Sequence, residues 1–155
     1  MNIFVLDQDP KLAAEYHCDK HVVKMAVEYT QILSTVIHLT NSTTNDYVYR
    51  ETHKHHPCVL WVGESLSHWE WLWRLGHNLG NEYTKRYGKI HKSTRALRNL
   101  PIPNRLIDKG WLRDQPQAMP EEFMCDNVVH AYRNFYLMDK FRFTKWSYSK
   151  KPYWM

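Results

Sequence analysis

Between Pro10 and the segment that begins at Thr40, neither glycine nor proline interrupts the chain. A stretch of that length without a breaker predicts one long helix. Asp9-Pro10 reads as its start, because an aspartate caps free amide groups and a proline suits the first turn. Within it lies HCDKHVVKM, residues 17–25, with two histidines four apart. At 100° per residue from His17, the side chains of His21, Lys24, Glu28, Gln31 and Thr35 fall within about 40° of one line, and His38 within about 60°. From position 22 onward nearly everything off that line is apolar, including Val22, Met25, Ala26, Tyr29, Ile32, Leu33, Val36 and Ile37. The helix is therefore built mostly for burial, with one hydrophilic seam.

Three readings of the seam stay open. It is a solvent face, or it lines a cleft where partial burial shifts pKa values for acid–base work, or it binds a metal. Histidines at i and i+4 can share one ion, with a third ligand from His53, His55, His56 or His91. Against metal, Asp19 and Lys20 fill the middle of the motif, so H-E-x-x-H is absent, and Lys24 would repel a divalent ion. The candidate catalytic residues are His17, His21, Lys24 and Glu28, with no metal and no cofactor expected.

The other elements follow from punctuation. Ile3–Leu6 is a short strand or a buried extended arm. Residues 40–56 form a loop rich in Thr, Asn and His. Pro57 opens a second long helix that stops near Gly88, in which Gly76 and Gly80 would let another backbone come close. A short helix covers Ser93 to Leu100. Residues 101–120, with four prolines, make a long ordered loop. A third main helix runs from about Asp126 to Phe141, before a basic, aromatic tail. The expected fold is all-α: three main helices with long ordered loops in a single domain spanning 1–155.

Charge and aromatics bear on the partner. The net charge is +5, with seven Trp and ten Tyr, which suits DNA or a nucleotide. Three isolated cysteines fit no disulfide framework and favour a reducing, cytoplasmic setting. No apolar run is long enough for a membrane span, and MNIFVLD does not read as a signal peptide. Residues 82–95, EYTKRYGKIHKSTR, place cations around Gly88 and a helix start. Arg86, Lys89, His91 and Lys92 are candidate phosphate ligands, alternatively a solvated basic loop. Arg133 belongs to a second basic-aromatic set. Gln117, held among prolines, would read a base edge or tie down its own loop.

Taken together, D-x-D-P, HCDKHVVKM, HHPC-x-x-W, YGKIHKS, QAMP, AYRNFY and a late KW resemble a family of small phage and bacterial proteins over almost the full length. More distantly, the chain is similar to the pyrimidine-dimer DNA glycosylases of the phage endonuclease V type. That resemblance implies a small basic helical protein whose N-terminal amine attacks the sugar C1′ to form an imine. A glutamate of the first helix assists, and the DNA is kinked with a base flipped out. Seven residues on from His17, where the family places its glutamate, stands Lys24; the nearest acid on that face is Glu28. Asn2 is large, so Met1 is expected to remain, and α-amines as a class are partly neutral at pH 7.

Three functions are consistent with these features. The first is an enzyme acting on a damaged or modified nucleobase or its sugar in DNA. The second is a non-catalytic protein that sequesters a nucleotide, and the third a histidine-based metal hydrolase.

Overall fold

The computed structural model describes residues 1–155. It contains no strand, and the all-α expectation holds. The helices are α1 (Pro10–Tyr16), α2 (Asp19–Leu39), α3 (Pro57–Val62), α4 (Leu66–Tyr87), α5 (Lys92–Arg98) and α6 (Val128–Phe135). A 3₁₀ turn spans Glu121–Phe123, and α6 continues as a π-helical turn over Tyr136–Lys140. No helix is long and apolar enough to cross a membrane.

Two of the three predicted main helices are each divided in two. The first breaks at His17 and Cys18, whose backbones are extended. The cause is Arg86, delivered by α4. Its guanidinium donates to the carbonyls of His17 (2.8 Å) and Glu15 (3.0 Å) at the end of α1. It also pairs with Asp19 in the first turn of α2 (3.2 Å) and with Glu82 (3.0 Å). Carbonyls that a continuous helix would use internally are thus satisfied from outside. The second break falls between Gly63 and Ser65. There Asp108 of the proline-rich loop accepts from the Ser65 hydroxyl and from the amide and hydroxyl of Ser67, capping α4. The outer limits stand as predicted: Pro57 opens α3, and Gly88 closes α4 in the left-handed region (φ +71°).

The core lies where α2 and α4 pack together, with α1 against α4 and α5 across both. The element that comes close to Gly76 and Gly80 is α5. A Cβ on Gly80 would sit 2.2 Å from Thr94 Cγ2, and one on Gly76 2.4 Å from Leu97 Cδ1. The N-terminal arm is extended and threads the core, with Ile3, Val5 and Leu6 fully buried. The tail returns to the α1–α2 junction. Trp146 Nε1 donates to Tyr16 O, the Asp19 amide donates to Lys145 O, and Ser147 N donates to the Asp19 carboxylate.

Candidate active site

The buried arm carries Met1 and Asn2 to the polar seam of α2. Asn2 is clamped: its Nδ2 donates to Ala118 O (2.9 Å), and its Oδ1 accepts from Tyr132 Oη (2.8 Å) and the Ile3 amide (2.7 Å). The Asn2 amide donates to Glu28 Oε2 (3.2 Å). With its neighbour fixed, the Met1 amine stands 3.8 Å from Glu28 Oε2, and the Met1 side chain is only 2% exposed. Lys24 Nζ approaches the other oxygen of Glu28, also at 3.8 Å. Cys58 contacts Asn2 from behind, but burial pushes its thiol up to about 12, so it is no nucleophile at neutral pH.

These groups line a cavity of about 330 Å³. Met1, Asn2, Phe4, Lys20, His21, Lys24, Met25 and Glu28 form one side; Ala118, Met119 and Pro120 of the QAMP loop, with Phe135, Lys140 and Phe143, form the other. Two of the lysine ammonium groups lie over aromatic rings, Lys140 at 4.6 Å from the Phe135 centroid and Lys20 at 4.8 Å from that of Phe143. One carboxylate therefore shares the cavity with three lysines and an α-amine, a balance suited to a polyanion beside an apolar wall.

His21 stacks on Phe4 with centroids 4.2 Å apart, and its Nδ1 lies 2.6 Å from Tyr136 Oη. Burial first, then the charges of His17, Lys140, Lys24 and Lys20, hold its pKa well below the usual imidazole range, so it is neutral at physiological pH. His17 is a different case. It is fully buried, with Nδ1 2.6 Å from Ala13 O and Nε2 2.7 Å from Tyr29 Oη. Burial lowers its pKa to about 4, the Ala13 bond opposing. It does not line the cavity, and both nitrogens are engaged in holding the α1–α2 junction.

The seam of α2 is thus split rather than uniform. His21, Lys24 and Glu28 meet at the cavity. Further along, the loop 40–56 covers the helix: Thr35 bonds with Thr52, and His38 Nε2 lies 3.0 Å from Tyr49 O. The histidines proposed as metal ligands do not converge. No group of three or more His, Cys, Asp or Glu side chains is placed to hold an ion.

The predicted phosphate ligands separate in the same way. Arg86 is buried in the ion pairs described above. Arg133 donates to Leu6 O (2.9 Å), pairs with Asp7 (3.2 Å) and lies over Trp154. His91 caps α5 through Nδ1, which accepts from Ser93 N, while its Nε2 meets Val23 O (3.1 Å). Gln117 ties its own loop, its amide bonded at both ends to the Cys125 backbone. Lys89 and Lys92 are exposed and enter no ion pair.

Sequence reasoning missed Lys20, Phe143 and the clamp made by Asn2 and Tyr132. Seven residues on from His21, the histidine at the cavity, stands Glu28, beside the terminal amine. No curated protein and no solved structure matches the chain. The profile of the pyrimidine dimer DNA glycosylases matches residues 1–96, a span that includes Met1, His21, Lys24 and Glu28. The chain therefore belongs to the pyrimidine dimer DNA glycosylase family.

Proposed function

We propose that the protein is a DNA glycosylase with lyase capability, acting on a damaged or modified pyrimidine through an imine at the Met1 amine. The observation that carries this reading is the Met1 amine 3.8 Å from Glu28 in a cavity walled by lysines and aromatic rings. In the reaction, the amine in its neutral form attacks C1′. The C1′–N bond breaks, and its electron pair leaves with the base. Glu28 takes the proton released by the new C–N bond and delivers it to O4′ as the sugar ring opens, leaving a protonated imine. Lys20, Lys24 and Lys140 hold the flanking phosphates, and Lys89 and Lys92 extend the contact along the duplex. The rings beside the cavity offset the cost of unstacking a base, a few kcal/mol.

Borohydride trapping tests this directly. UV-irradiated duplex incubated with the protein and borohydride should yield a covalent adduct whose peptide map places the DNA on residue 1, with intact mass reporting that residue as Met. An adduct on Lys24 instead would transfer the nucleophile to that side chain. Tight binding with no adduct on any damaged or modified DNA would favour sequestration over catalysis.

A further inference from the structure

The cavity contains one group whose protonation can be read from its bonds. We infer that Tyr136 locks His21 as the Nε2–H tautomer, making it a neutral hydrogen-bond donor to the O2 oxygen of a departing pyrimidine. Tyr136 Oη has three neighbours: His21 Nδ1 at 2.6 Å, Cys18 N at 3.4 Å and Cys18 Sγ at 3.7 Å. The Cys18 amide can only donate, so Oη accepts there. Its single proton then goes to the near neighbour, Nδ1, rather than to the distant sulfur. Tyr136 is fully buried, which raises its pKa well above the ordinary value and keeps that proton in place. A neutral ring that accepts at Nδ1 carries its hydrogen on Nε2, and Nε2 has no hydrogen-bond partner in the protein.

The charges facing the ring argue the same way. Lys20 and Lys24 come from α2, Lys140 from the π-helical turn, the Met1 amine from the arm, and Glu28 from the next turns of α2. His17, 6.5 Å away centroid to centroid, lies behind. Cations outnumber the lone carboxylate, so an imidazolium has no support. His21 is thus unsuited to give up a proton and well suited to hold an N–H still.

The chemistry of the leaving group makes that useful. When the glycosidic bond breaks, its electron pair enters the base, and the carbonyl oxygen next to the glycosidic nitrogen takes much of the charge. A fixed donor in a water-poor site stabilises charge that grows only in the transition state. No proton crosses from His21; the base takes one from water after it leaves. Tyr136 acts through His21 and is a positioning residue.

The role of the donor rests on the glycosylase reading, whereas the tautomer does not. Long-range ¹H–¹⁵N spectra of the full chain should show His21 as Nε2–H, without titration, from pH 5 to 8. An Nδ1–H tautomer, or an imidazolium forming above pH 6, overturns the assignment. With trapping on damaged duplex established, His21→Leu should lower the single-turnover rate about 100-fold, as loss of one oxyanion donor does, with DNA affinity changed less than threefold. Tyr136→Phe, checked for a native melting transition, should mix the tautomers and slow turnover, and His21→Gln, which keeps an amide donor, should recover part of the loss. Unaltered turnover in His21→Leu would sink the donor role. If the wild type traps no DNA at all, the glycosylase reading and the donor role fall together, while the spectra still decide the tautomer.

Discussion

Arg86 separates a structural role from the phosphate-binding role its sequence context suggests. Its side chain is fully buried, and its partners Glu82 and Asp19 are 10% and 16% exposed. It also satisfies two carbonyls at the end of α1. Arg86→Met keeps much of the volume but leaves the Glu82 carboxylate buried without its counter-charge. Breaking a buried pair in this way costs about 3–5 kcal/mol. For a chain of this size about 2–4 °C of melting temperature accompanies each kcal/mol, so a fall of roughly 6–20 °C is expected. Thermal unfolding followed by circular dichroism at pH 7 measures it. The double variant Glu82→Gln with Arg86→Met should recover part of the loss, because the orphaned charge is gone. Duplex binding, measured at a temperature where the variant is folded, should be nearly unchanged. By contrast, Lys89→Ala should leave melting unaltered and reduce the slope of log affinity against log salt by about 1. An Arg86→Met protein that melts within about 2 °C of wild type yet loses duplex affinity would refute this reasoning and restore the phosphate role.

Four further outcomes follow from the same contacts. Glu28→Gln should retain duplex binding and lose about 10²–10⁴-fold in imine formation, read by borohydride trapping. Tyr132→Phe removes a donor to Asn2 and should slow trapping by about 10–100-fold through misplacement of the amine, with melting nearly preserved. Gly80→Ala forces a methyl against Thr94 and should cost about 1–3 kcal/mol in urea unfolding. His17 has a folded pKa near 4 against an ordinary 6.5, so between those values the unfolded chain binds more protons than the native one. Stability is therefore complete above about pH 6.5 and falls by about 3 kcal/mol as pH drops to 4, at 1.36 kcal/mol per unit. His21 adds in the same direction, and His17→Gln should flatten the slope.

What was legible in the sequence was local. The cap at Asp9, the proline that opens α3, the left-handed stop at Gly88 and the close approach at Gly76 and Gly80 each follow from one residue's own geometry. The interruptions of the two long helices were not legible, because their causes come from afar in sequence. Arg86 stands 69 residues from the carbonyl of His17 that it binds, and Asp108 lies 41 residues from Ser67. Charge patterning failed for the same reason. In YTKRYGK every cation looks alike, yet Arg86 is buried in ion pairs while Lys89 is exposed. The seam on α2 was visible by periodicity, but its division into an open end at Glu28 and a covered end at Thr35 depends on where loop 40–56 lies.

That division leaves an α-amine beside a carboxylate at the open end of the seam. The family-matched residues 1–96 hold the atoms that could do chemistry: the Met1 amine, Glu28, Lys24 and His21. Much of what positions or encloses them comes from beyond that span. Tyr132 and Ala118 hold Asn2, Tyr136 holds His21, and Met119, Phe135, Lys140 and Phe143 close the cavity. A group on a terminal residue has more freedom than one within the chain and gains most from being fixed. Here the fixing is done by three side-chain hydrogen bonds to Asn2 and by burial of the Met1 side chain. The C-terminal third is thus part of the site and not an appendage to it. Its π-helical turn carries both Tyr136, which bonds to His21, and Lys140, which lines the cavity.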